Sequence, residues 1–135
     1  MNGGDFNFLK GDTKPMQILR VSSRIYLDAD KLDAAITFYE HLFNEECGLR
    51  FTYPKLGLEI GRVGSVLLIA GSTDDLTKVR LVDMTFLVDS IDEFQKQLIS
   101  KGATILEGPN EVPTGWNMHV RHPDGTIVEY VEHNR

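Results

Sequence analysis

The chain has one cysteine, Cys47, in 135 residues, so no intramolecular disulfide can form and no second thiol is available to complete a zinc ligand pair. That scarcity points to a reducing, cytoplasmic setting. Long apolar runs are also missing. No stretch approaches the ~18 consecutive apolar residues that a membrane-crossing helix needs. Asp5, Asn7 and Lys10 interrupt Phe6, Phe8 and Leu9, so no secretory leader is expected at the start. Basic residues are in the minority, fourteen Lys and Arg against twenty Asp and Glu, for a formal net charge of −6. A phosphate backbone would meet a repulsive mean field, and neither nucleic acid nor a membrane is expected as a partner. The sequence also lacks a glycine-rich phosphate cradle, a nucleophile elbow and an HExxH, which leaves nucleotide hydrolysis, serine catalysis and zinc proteolysis without support. What is present is 41% hydrophobic and 25% charged, the balance of a chain that buries one core. A glycine-rich, polar arm is expected over 1–15, with Phe6 and Phe8 available to pin it, followed by a single domain over 16–135.

Periodicity divides that domain into two similar halves. Over 17–28, Leu19, Val21, Ile25 and Leu27 fall on one parity and Arg20, Ser22, Arg24 and Tyr26 on the other, the pattern of a strand. After Asp30, the residues Leu32, Ala35, Ile36, Tyr39, Leu42 and Phe43 recur at helical spacing, and Gly48 follows as a stop. Three short strand-like runs come next, over 49–53, 58–63 and 66–70, and the Gly, Ser, Thr and Asp of 71–77 read as a linker. The order then restarts. A strand is expected over 79–88, a helix capped by Ser90 with Glu93 and ended by Lys101-Gly102, and strands over 104–106, 116–121 and 126–132. His122-Pro123-Asp124-Gly125 joins the last two as a tight turn. The expected fold is therefore α+β: two βαβββ repeats, about 17–71 and 79–132. Their open sheet faces pair into one curved eight-stranded mixed sheet around a central cup, the natural ligand site.

Three stretches carry a family resemblance. The run from Lys31 to Tyr39, KLDAAITFY, resembles the first-helix motif of the vicinal oxygen chelate superfamily. This superfamily includes glyoxalase I, bleomycin-resistance proteins, fosfomycin-resistance proteins and extradiol dioxygenases. Phe86 to Asp92, FLVDSID, is similar to its second-helix opening, and His122 to Glu129, HPDGTIVE, is similar to its last turn and strand. Metal-dependent members hold a divalent ion in the cup, on ligands from the first strand of each repeat and a carboxylate of the last strand. The resemblance places those positions on Arg24, Asp83 and Glu129. Arginine has only donors and stays protonated, so it cannot ligate a cation.

The resemblance and the strand parity together define a candidate site. Glu129 and His119 are the candidate catalytic residues, and Arg24, Tyr26, Asp83 and Trp116 the candidate ligand contacts. No cofactor is expected; the alternative is Mg2+ or Mn2+ on Asp83 and Glu129. Arg24 is expected to pair with Asp83 or Glu129 where a metal would otherwise sit. Trp116 has a second reading as an interface anchor, His41 and His133 read as solvated, and His122 as a turn residue. Three functions follow in order. The first is a metal-free protein that binds a small organic molecule in the cup, the second a metal-dependent isomerase or lyase of the glyoxalase I kind. The third is an acid/base enzyme that uses Glu129 or His119. A homodimer is expected, because paired modules leave edges and an apolar face to cover.

Overall fold

The computed structural model describes residues 16–134, so the arm expected over 1–15 lies outside the described residues. The first unit is strand β1 (Ile18–Asp28), helix α1 (Leu32–Phe43), and strands β2 (Leu49–Tyr53), β3 (Leu58–Val63) and β4 (Val66–Gly71). A short helix α2 (Thr73–Thr77) connects it to the second unit: β5 (Met84–Val88), α3 (Ile91–Ser100), β6 (Thr104–Val112), β7 (Gly115–Arg121) and β8 (Ile127–His133). The eight strands form one mixed sheet in the order β2-β3-β4-β1-β5-β8-β7-β6. Its two halves meet where β1 runs antiparallel to β5, and in each half the first strand lies parallel to the last, β1 to β4 and β5 to β8.

Helices α1 and α3 cover the outer face of the sheet. Leu32 and Ile36 of α1 pack on Val63, Val66, Leu68 and Ala70, while Ile91 and Phe94 of α3 pack on Val88, Met118, Val120, Val128 and Tyr130. Each fully buried aliphatic side chain contributes about 1.5–3 kcal/mol. Close approach of α1 is possible because β3 carries Gly61, where an added Cβ would come within 3.0 Å of the Ile36 Cδ1. The helix ends at Asn44 in the left-handed conformation (φ 54°), before the Gly48 expected as its stop; asparagine tolerates this geometry better than most residues. Ser90 caps α3 by accepting from the Glu93 amide at 3.3 Å, and Glu132 of β8 accepts from the Ile91 amide at 2.8 Å.

Three sequence expectations need correction. The segment expected as a linker over 71–77 is ordered around α2: Ser72 accepts from the Asp75 amide at 3.1 Å, and Leu76 is buried. The strand expected over 79–88 begins only at Met84, because the amides of Val79 and Arg80 still bond to the Leu76 carbonyl and Val82 bonds to Val79. β6 runs to Val112 rather than stopping at 106. Its register against β7 shifts twice, between Ile105 and Glu107 and between Glu107 and Asn110, and those breaks end the alternation that a sequence shows.

Candidate functional site

The inner face of the sheet encloses a cavity of about 600 Å3. Strand parity decides what lines it. On β4, Val66, Leu68 and Ala70 face α1, which turns Leu67 and Ile69 inward. With Leu58 and Ile60 of β3 and Val79 from the connecting segment they form an apolar wall, backed by Leu76. On β5, β7 and β8, the apolar parity packs under α3, so Thr85, Asn117, His119 and Glu129 turn inward as a polar wall. Registry places Ser22, Thr85, Glu129, His119 and Glu107 in one row across β1, β5, β8, β7 and β6.

Glu129 is the centre of that row. Its Oε1 accepts from Arg24 Nη1 at 3.2 Å and from Thr85 Oγ1 at 3.1 Å, and its Oε2 accepts from Asn117 Nδ2 at 2.8 Å. His119 Nε2 lies 3.9 Å from Oε2, and the same ring places Nδ1 3.6 Å from Glu107 Oε2. Burial pushes the Glu129 carboxyl upward, but His119, Arg24 and Asn117 outweigh it and hold the pKa at about 2. A carboxylate so well satisfied is a poor general base at neutral pH, which weighs against the expectation that Glu129 moves a proton. The Arg24 side chain is 5% exposed. Among the described residues its hydrogen bonds all leave from Nη1, to Glu129 and to Thr85 at 3.2 Å, while Nε is buried without a partner.

Other candidates lie elsewhere. Asp83 does not line the cavity: it is exposed, and its Oδ2 accepts from the Ile127 amide at 2.9 Å, which fastens the approach to β5 onto β8. Arg24 therefore pairs with Glu129 and not with Asp83. Tyr26 shares the parity of Arg24, but the connecting segment covers it. Its hydroxyl lies 2.9 Å from the Val79 carbonyl and 2.8 Å from that of Val82, and the guanidiniums of Arg24 and Arg80 each lie 5.4 Å from its ring. Tyr26→Phe should cost about 1–2 kcal/mol in equilibrium denaturation and leave ligand affinity unchanged; a loss of affinity at full stability would return Tyr26 to the site. Trp116 is 44% exposed and lies outside the cavity, on the opposite parity from Asn117. His133, expected in solvent, lines the cavity, whereas His122 bonds through Nε2 to the Tyr130 hydroxyl at 2.8 Å. Glu107, Asn117 and Thr85 are missing from the sequence-based site. For Asn117 the signal was there, since Met118 and Val120 leave Asn117 and His119 on one face.

A half-barrel built from two βαβββ units, with its ligand cavity on the inner face, is the architecture of glyoxalase and bleomycin-resistance proteins. The chain has the fold that its resemblance to the vicinal oxygen chelate superfamily implies, and solved structures share that fold. It is similar to the crystal structure of an uncharacterized protein from Methanosarcina mazei, with 46% identity and a TM-score of 0.80, covering 87% of this chain and 94% of that one. Methylmalonyl-CoA epimerase from Mycobacterium tuberculosis shares the fold at 16% identity, with a TM-score of 0.64 over 87% of this chain and 90% of the other. A variant of the Streptomyces coelicolor epimerase in complex with 2-nitronate-propionyl-CoA does so at 18% identity, with a TM-score of 0.61 over 88% of this chain and 100% of the other. No protein-family model and no curated protein matches the sequence.

Two cofactor expectations are corrected, one by these comparisons and one by the geometry of the site. The expectation of no cofactor is withdrawn, because the fold is shared with methylmalonyl-CoA epimerases. The alternative, Mg2+ or Mn2+ on Asp83 and Glu129, fails on geometry, since Asp83 is engaged with the Ile127 amide away from the cavity. The donors that do face the cavity do not fit a divalent ion. A permanent guanidinium cation lies against the central carboxylate, and among the described residues no three His, Cys, Asp or Glu side chains come together to hold an ion.

Proposed function

We propose that the cup binds a small organic anion, with its anionic group against Arg24 and its apolar part on the wall of Leu58, Ile60, Leu67 and Ile69. The observation that carries this reading is the half-used guanidinium: Arg24 is buried, spends only Nη1 on the protein, and has donors to spare at the cavity floor. Donors left without partners in a low-dielectric site cost free energy, and a carboxylate or enolate oxygen would recover it through a charge-assisted bond. Titration calorimetry with hexanoate and benzoate tests the reading. Arg24→Lys keeps a cation beside Glu129 but loses the planar fork, and should weaken either acid about tenfold. No binding by wild type, or equal binding by the variant, would reject it.

A second reading follows from His119. An imidazole between Glu107 and Glu129, facing the ligand volume, is placed to carry a proton, and the named neighbours are epimerases. In this reading the protein is an enzyme in which Arg24 steadies an enolate-like oxyanion while His119 exchanges a proton at the adjacent carbon. Deuterium uptake from D2O into a bound 2-substituted carboxylate or thioester, lost in His119→Gln, is the expected signature. The cytoplasmic location and the homodimer remain part of the proposal. Leu19 and Val21 on β1, 54% and 47% exposed, offer the apolar surface for a second copy. Sedimentation at micromolar concentration should give a dimer.

A further inference from the structure

The chain carries an excess of acid, yet five Lys and Arg side chains line the cup against three carboxylates. Glu129 matches Arg24, and Lys78 lies 3.5 Å from Asp75. Among the described residues Lys55, Arg20 and Arg62 make no ion pair with a carboxylate, and it is the two arginines that stand together. They reach the same end of the cavity. Arg20, on β1, donates from Nη1 to the Gly64 carbonyl in the β3–β4 turn at 3.2 Å, and Arg62 is the second residue before that turn glycine. Burial lowers the Arg62 pKa and the Arg20 charge lowers it further, against smaller opposing effects of Cys47 and Glu45; His133, on the same lining, is lowered by burial and then by Arg62. Arginines do not escape such repulsion by losing a proton, so the positive charge stays until an anion meets it.

The register adds a spacing. Leu67 of β4 stands in pair with Arg24 on one side and Arg62 on the other. Two strand spacings put Arg24 and Arg62 about 10 Å apart at the backbone, with an apolar side chain between them on the inner face. We propose that Arg20 and Arg62 form a second anion-binding point, and that the ligand of this cup is a dianion. One anionic group meets Arg24, the other meets the Arg20 and Arg62 pair, and a short apolar chain crosses Leu67. This rests on the reading of Arg24 as an anion site and extends it to the substrate class.

Calorimetry at constant ionic strength, with succinate, adipate and suberate against butyrate, hexanoate and octanoate, tests the inference. At least one diacid should bind about tenfold more tightly than the monoacid of equal length, the worth of one charge-assisted contact. Arg20→Gln and Arg62→Gln should each remove that advantage while monoacid affinity is kept. Arg20 is exposed, so its variant decides the matter even where Arg62→Gln fails to fold. Monoacids that bind through Arg24 with no diacid advantage would overturn this inference and leave the anion site standing. An advantage that survives Arg20→Gln would overturn it as well. No binding of either kind of acid would overturn both.

Discussion

Arg24→Ala should lower the stability of the protein by about 3 kcal/mol, measured by equilibrium denaturation at neutral pH. Removing one partner of a buried ion pair typically costs about 3–5 kcal/mol, because the other charge stays in a poorly solvated place. The lower end applies here. Glu129 is 18% exposed and keeps the Thr85 hydroxyl and the Asn117 amide as donors, so its desolvation is partly compensated after the guanidinium has gone. A companion variant separates charge from packing. Arg24→Leu with Glu129→Gln leaves no net charge in the row and should recover part of the loss; an amide that cannot satisfy all the surrounding groups limits the recovery. Asp83 needs no substitution in this series, because it serves the Ile127 amide and not Arg24. A change below about 0.5 kcal/mol for Arg24→Ala, the size seen at exposed sites, would mean that the pair is solvated and that the cup has no buried charge to offer a ligand.

The parts of the molecule that were legible in the sequence are those where one periodicity rules a whole element. β1 alternates apart from Ser23, and α1 and α3 carry stripes at helical spacing. The two-unit order follows from these, and with it the placing of Arg24 on the inner face of a curved sheet, whereas it is the family resemblance that places Glu129 in the cup. The failures share a cause as well. In 71–83 a few polar residues and one buried leucine form a short capped helix and a run of turns, which long-range burial of Leu76 and Val79 stabilises and no local pattern announces. The same segment hides Tyr26, a fact that depends on two carbonyls more than fifty residues away. Asp83 follows the family's ligand position by counting, but counting cannot tell that it lies ahead of the strand and turns to the amide of Ile127. Glu107 stands opposite His119 through a register shift of β6 between Ile105 and Glu107, which no alternation of residues encodes.

Glu129 should also give the protein a carboxylate-dependent loss of stability in acid. In the folded chain its pKa is about 2, against 4.5 for the ordinary group, so over that interval the unfolded chain binds a proton that the folded chain refuses. Stability then rises with pH across the interval. The contribution is complete above about pH 5, falls through the interval and is gone below the folded value. A shift of this size corresponds to about 3 kcal/mol, an order-of-magnitude figure that the 18% exposure of the side chain leaves largely unscreened. Urea denaturation from pH 6 to pH 2 should show the decline in wild type. Glu129→Gln should be less stable at pH 6 and should lose less on acidification, with the two curves converging near pH 2. The difference between the curves isolates Glu129 from other acids, such as exposed Asp124, whose pKa is lowered by its bonds to Thr126. Parallel curves would sink the assignment, since the carboxyl would then titrate alike in both states. Its bonds to Arg24, Thr85 and Asn117 would not be holding it ionised, and the guanidinium that this carboxylate orients would have no fixed position from which to meet a ligand.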